Sequence, residues 1–164
     1  MGNHTVTSIK LKMYKNGTPT TLTVSIRNTT SYYPTGGDLT SGTFDSTTVS
    51  ETSSPGGWYE INVTPYTLTD GALYGIIFRV PGGDASNLLA IRSDSSSPTY
   101  SGGQFQRSTD SGVTWNGYNY TTIDGMFEVW GAAAGVATKM NLTTPTRLLG
   151  RSFFSRKIHR ELKI

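Results

Sequence analysis

Apolar and polar residues alternate from the start of the chain. Between Val6 and Tyr14, Ile9, Leu11 and Met13 fall on one side, and Lys10, Lys12 and Tyr14 on the other. A period of two is that of a pleated strand with one buried face. Asn16-Gly17 marks a turn, and Leu22, Val24 and Ile26 resume the alternation between Thr21 and Arg27. The two segments read as a hairpin closed by Asn-Gly. A long Gly/Ser/Thr stretch follows from Asn28 to Gly57, with Phe44 and Val49 as its apolar anchors, and no strand is assigned to it. Strand patterns return at 58–64, with Tyr59, Ile61 and Val63 on one side, and at 72–80, with Tyr74, Ile76, Phe78 and Val80 aligned. Pro81-Gly82-Gly83-Asp84 breaks the second of these. Short strands are expected at 88–92, 104–107 and 113–115, a polar aromatic loop at Asn116–Tyr120, and a closing strand at Met126–Trp130 with Phe127 and Val129 inward. About eight short strands separated by turn signals, with no helical period before residue 132, predict an all-β fold, an antiparallel β-sandwich of jelly-roll type.

Composition supports this reading. By count the chain holds 26 Thr and 18 Ser among its 164 residues, with 19 Gly and 7 Pro. Thr, Tyr, Val and Ile suit a pleated surface, and Gly and Pro suit turns. Only 15% of residues are charged, but the 11% aromatic content and the regular alternation exclude a disordered chain. There is no cysteine, so neither a disulfide framework nor a cysteine metal site is available. That absence fits a prokaryotic or phage source. Met1-Gly2-Asn3-His4 leads straight into a strand pattern with no signal peptide, and no apolar run is long enough to span a bilayer. A protein of this kind working outside the cell would have lost its signal or left by lysis.

Charge divides the chain. From Arg147 to Ile164 there are six basic residues and one acid, Glu161, giving +5; the overall +3 therefore leaves −2 for everything before. The expected organisation is a domain over 1–131, a linker of small residues over 132–146, and a basic amphipathic arm over 147–164. The side chains of the arm that would dock are Phe153, Phe154, Arg156, Lys157, Ile158, Arg160 and Leu162. Phe154, Ile158 and Leu162 fall on one helical stripe, while Ile158, Leu162 and Ile164 also share a strand face, so the arm's secondary structure stays open. Another copy of the chain, or another protein of an assembly, is the expected partner. Nucleic acid or an anionic membrane would meet the same charge.

Ser108-Thr109-Asp110-Ser111-Gly112-Val113-Thr114-Trp115 reads S-x-D-x-G-x-T-W. This resembles an Asp-box, the β-hairpin motif of sialidases and other secreted β-proteins. An Asp carboxylate bonds backbone N–H groups inside such a turn, Gly supplies a positive φ, and the Trp caps an apolar layer. The motif marks a hairpin, not a catalytic centre. Sialidases resemble six-bladed propellers with several boxes, an arginine cluster and a Tyr nucleophile, and this chain is too short for that. More widely, His4 to Gly131 resembles Gly/Ser/Thr-rich β-sandwich modules of bacterial and archaeal surface proteins and phage structural proteins. The resemblance rests on Val6–Leu11, Leu22–Arg27, Tyr74–Pro81 with Gly82-Gly83-Asp84, the Ser95–Gly103 loop, the Asp-box and Met126–Gly131. It covers about four fifths of the chain. It implies a carbohydrate-binding or adhesion architecture at an extracellular or virion surface. Such modules usually begin one strand earlier, so a sheet edge would stand open here or be filled by another segment.

Candidate chemistry is sparse. His4 and His159 lie near opposite ends, the acids are scattered singly among turns, and neither a catalytic triad nor a glycosidase carboxylate pair can be assembled. The expectation is a protein that is not an enzyme and needs no cofactor, with structural calcium the one candidate metal, held by loop oxygens of Asp84, Asn87, Asp94 and Asp124. A glycan site would use aromatic faces. Tyr118 and Tyr120 are the leading candidates, followed by Trp115 and Trp58, while Trp115 and Trp130 are expected to pack beneath the hairpin. The reading is a non-enzymatic structural or attachment module of an extracellular assembly, a virion surface or decoration protein anchored through its arm. The alternative is a carbohydrate-binding or adhesion module of a secreted protein.

Overall fold

The computed structural model describes residues 3–96, 105–108, 110, 112–120 and 123–133. They are all-β, with antiparallel sheets and a single 3-10 turn at Ser46–Thr48. The strands are β1 (His4–Asn16), β2 (Leu22–Thr30), β3 (Tyr33–Phe44), β4 (Gly57–Leu68), β5 (Tyr74–Arg79), β6 (Leu88–Ile91), β7 (Ser93–Asp94), β8 (Phe105–Arg107), β9 (Asn116–Tyr120), β10 (Asp124–Gly125) and β11 (Phe127–Ala133). One sheet runs β11-β1-β4, with β6 also on β1; a second runs β3-β2-β5; β7–β10 and β8–β9 form two small ribbons. No helix among the described residues is long and apolar enough to cross a membrane. The 147–164 arm lies outside the described residues.

The two large sheets share one core. β1, β4 and β11 contribute Val6, Ile9, Leu11, Met13, Ile61, Val63 and Val129, and β2 and β5 contribute Leu22, Val24, Ile26, Tyr74 and Ile76. This corrects the expected β1–β2 hairpin. β1 pairs with β11, β4 and β6, whereas β2 pairs with β3 and β5, so Asn16-Gly17 begins a passage from one sheet to the other. Both strands bury a continuous apolar face, and each can do so against the other only by lying in opposite layers. Gly17, at φ +64, lets the turn press against the 81–87 loop, where a Cβ would lie 2.3 Å from the Ser86 carbonyl oxygen. Within β1 the inward side switches from even to odd positions, Val6 and then Ile9. A register shift between Val6 and Ser8, common to both flanking strands, resets the alternation.

The Gly/Ser/Thr stretch is a second correction. It contains β3, twelve residues long, paired to β2 at Tyr33–Thr35 and at Thr40–Phe44, with a register shift opposite Arg27. Its pattern is faint because β3 is an edge strand on which few side chains reach the core, Leu39, Thr40 and Phe44 chief among them. Gly42 serves close approach: a Cβ there would stand 1.9 Å from the Asn62 carbonyl oxygen of β4. The last strand also runs further than its pattern, to Ala133, into what reads as the linker.

Candidate functional site

The face of the β3-β2-β5 sheet turned away from the core carries Ser25, Arg27 and Thr29 from β2, and Gly75, Ile77 and Arg79 from β5, in registered pairs Ser25↔Ile77 and Arg27↔Gly75. Period two puts them there once Val24, Ile26, Ile76 and Phe78 take the core side. Yet Ile77 is only 2% exposed. A third layer covers this face: the β8–β9 ribbon and the Asp-box turn between its strands.

Within the turn, Asp110 Oδ1 accepts from the Val113 and Thr114 amides at 3.1 and 2.9 Å, and Oδ2 accepts from the Thr114 hydroxyl. Ser108 Oγ donates to Asp110 Oδ1 at 2.6 Å and accepts from the Gly112 amide at 2.7 Å. Gly112 takes φ +87. The Ser108 and Thr114 hydroxyls and the turn amides hold the Asp110 carboxyl far below the usual carboxylate range, fixing it as an anion that accepts. Two hydrogen bonds tie the layer to the sheet. Arg27 Nη1 donates to the Gly112 carbonyl at 3.2 Å, and Gln106 Nε2 donates to the Tyr32 carbonyl at 2.9 Å.

Asp38 of β3 organises the floor. Its Oδ1 accepts from Ser25 Oγ at 2.9 Å and Arg27 Nε at 2.6 Å, and its two oxygens accept both terminal nitrogens of Arg79. Burial pushes its pKa up, but the bonds from Arg79, Arg27 and Ser25 outweigh that and lower it to about 2.

Between floor and roof lies a cavity of about 540 Å³, within the size range of small-molecule sites. Thr29, Pro34, Ile77 and Arg79 lie on its sheet side, and Phe105, Gln106, Arg107 and Trp115 on its hairpin side. Tyr32 lines it from the β2–β3 turn and Pro81–Gly83 from the turn after β5. Trp115 Nε1 is buried and has no acceptor among the described residues. A buried donor without a partner is costly, about 1–3 kcal/mol, and it belongs to a residue whose ring lines the cavity. Tyr32 and Ser31 both take positive φ, 71° and 50°, in the two-residue turn joining β2 to β3.

The expected site residues are distributed as follows. Trp115 lines the cavity. Tyr118 and Tyr120 lie on β9, the strand that pairs with β8, and their side chains lie outside what is described. The strand after the Asp-box turn begins at Asn116, not Val113, and Val113 is 80% exposed. Trp58 stands on the outer face of the other sheet, 46% exposed, with Lys12 Nζ 6.0 Å from its ring. Trp130 is on that same sheet, not beneath the hairpin: Lys10 sits 4.7 Å over its ring and its Nε1 donates to Glu128.

The calcium candidates divide between two places. Asp84 Oδ1 accepts from the Ser86 and Asn87 amides, and Asn87 Oδ1 accepts from Thr18, clamping the 81–87 loop to the turn after β1. The Ser86 amide, then Asn87, hold the Asp84 carboxyl below its ordinary range. Asp94 and Asp124 face each other across β7–β10, and Asp94 Oδ1 accepts from Ser96. No group of three or more His, Asp or Glu residues gathers among the described residues. Tyr32 was one of the aromatics the sequence offered for stacking on a sugar; Ile77, Arg79, Gln106 and Arg107 were not picked out, because they meet only through the stacking of hairpin on sheet. Comparison of the chain with protein-family models, curated proteins and solved structures gives no match.

Proposed function

We propose that this protein is a non-enzymatic attachment module, a jelly-roll-type β-sandwich that recognises a glycan in the cavity beneath its Asp-box hairpin. The carrying observation is Trp115, which lines the cavity and whose buried indole N–H has no acceptor among the described residues, so that a small shift of the ring would present it to a ligand. A sugar hydroxyl or ring oxygen supplies such an acceptor, and its C–H face packs on the Trp115 and Phe105 rings that line the same cavity. The acids nearby favour holding over transforming. Asp38 and Asp110 are committed to structural bonds and kept ionised, so neither is a proton donor at neutral pH. In this reading the 147–164 arm anchors the module to its assembly at an extracellular or virion surface, since the +5 arm complements a −2 body.

A glycan array tests the recognition. Hits are expected, and Trp115→Phe, which keeps a ring and removes the donor, should weaken them about tenfold without lowering the melting temperature. A blank array, or hits indifferent to that substitution, defeats the proposal.

A further inference from the structure

Resting on that reading, we infer that the glycan is anionic, and that the cavity selects a sugar carboxylate through Arg107 and Arg79 together with the Trp115 indole N–H. The part of the chain preceding the arm carries −2, yet the described lining of the cavity holds two arginines and no acid. The nearest carboxylates do not cancel them. Asp38 is shared between two guanidinium groups, those of Arg27 and Arg79, so that cluster keeps a net positive charge. Asp110 turns its oxygens into its own loop, where Ser108, Val113 and Thr114 occupy them. Arg107, exposed at the outer end of β8, adds a second unit of charge at the cavity wall.

Geometry narrows the ligand further. The turn amides of Gly112, Val113 and Thr114 are already bonded to Ser108 and Asp110, so an anion in the cavity is met by side chains and not by a backbone nest. What the cavity offers is a planar guanidinium, a single indole donor and flat apolar walls. That set suits a carboxylate fixed to a pyranose ring: the guanidinium meets the carboxylate, the indole meets an adjacent oxygen, and the ring packs on Ile77, Phe105 and Trp115. Arg79 is positioned for this by Asp38, which holds both of its terminal nitrogens.

Calorimetric titration of the full chain with trimers of galacturonate and of mannuronate, each beside its neutral methyl ester, tests the inference. A uronate trimer is expected to bind at least about tenfold more tightly than its ester, with the difference shrinking as salt rises. Arg107→Gln should remove that preference while leaving the melting temperature unchanged. Trp115→Phe should weaken acid and ester alike. Equal binding of acid and ester overturns the anionic selection and leaves glycan recognition standing. Binding of only neutral sugars on an array does the same. Failure of every trimer together with a blank array overturns both.

Discussion

Asp38 and Asp110 do similar work in different surroundings. Asp38 joins β2 and β5 to β3 through Ser25, Arg27 and Arg79, and its pKa of about 2 makes that junction pH-dependent. The folded value lies below the unfolded one, so the carboxylate's contribution is complete above about pH 4 and is lost as the pH falls through about 2. Asp38→Asn should lower stability at neutral pH by about 2 kcal/mol, measured by denaturant unfolding, and should flatten the decline between pH 4 and 2. An unchanged acid limb would assign that decline to other groups. Asp110 is fully exposed and its bonds are local, so Asp110→Ala should leave the unfolding midpoint nearly unmoved. Its effect should appear in hydrogen exchange, as faster exchange of the Val113 and Thr114 amides. The role of Asp110 was legible in S-x-D-x-G-x-T-W because every partner lies within four residues. That of Asp38 was not, since its partners stand 11, 13 and 41 residues away and nothing in a Gly-Gly-Asp-Leu run points to them.

At the scale of elements, the alternation located β1, β2, β4, β5, β6 and β11; β4 shows it most plainly, with one face buried and the other wet, while β5 is buried on both faces and was found by its apolar side chains alone. It misread pairing. Asn-Gly after one alternating strand and before another is a strong hairpin signal, yet the passage from β1 to β2 changes sheets because both strands present their apolar sides to the same core. It also passed over β3, where pairing to β2 and the close approach of β4 at Gly42 outweigh a weak propensity. The true hairpin of this region, β2–β3, turns through Ser31-Tyr32 with both residues at positive φ, a conformation that Asn-Gly adopts far more easily. Keeping an aromatic residue in a strained turn at the cavity is what a binding role would require. Replacing the pair by Asn-Gly should therefore raise stability by about 1 kcal/mol and weaken glycan binding at the same time. A gain in stability with no loss of binding would make Tyr32 a bystander. Substituting Gly42 by Val should cost about 1–3 kcal/mol or more, because its Cβ would collide with backbone and not with a yielding side chain.

For the whole molecule, the described body is one core between two sheets with a pinned hairpin over one outer face, and beyond residue 146 the composition turns basic. The arm's proposed role is separable from the cavity's. Removing 147–164 should abolish self-association or capture by an assembly partner on gel filtration and leave glycan affinity intact; an unchanged profile removes the arm from the account. The all-β class was legible because strand periodicity is a local property. The cavity was not, because its floor and roof come from segments distant in sequence and are joined by two long-range bonds, Arg27 to Gly112 and Gln106 to Tyr32, which span 85 and 74 residues. The most direct test is an NMR titration with the best-bound glycan, following the indole N–H signals of the chain's three tryptophans. The Trp115 signal should shift and become protected as the ligand accepts its hydrogen bond, while those of Trp58 and Trp130 stay in place. Movement of the Trp58 signal with Trp115 unmoved would put recognition on the opposite sheet and contradict the account.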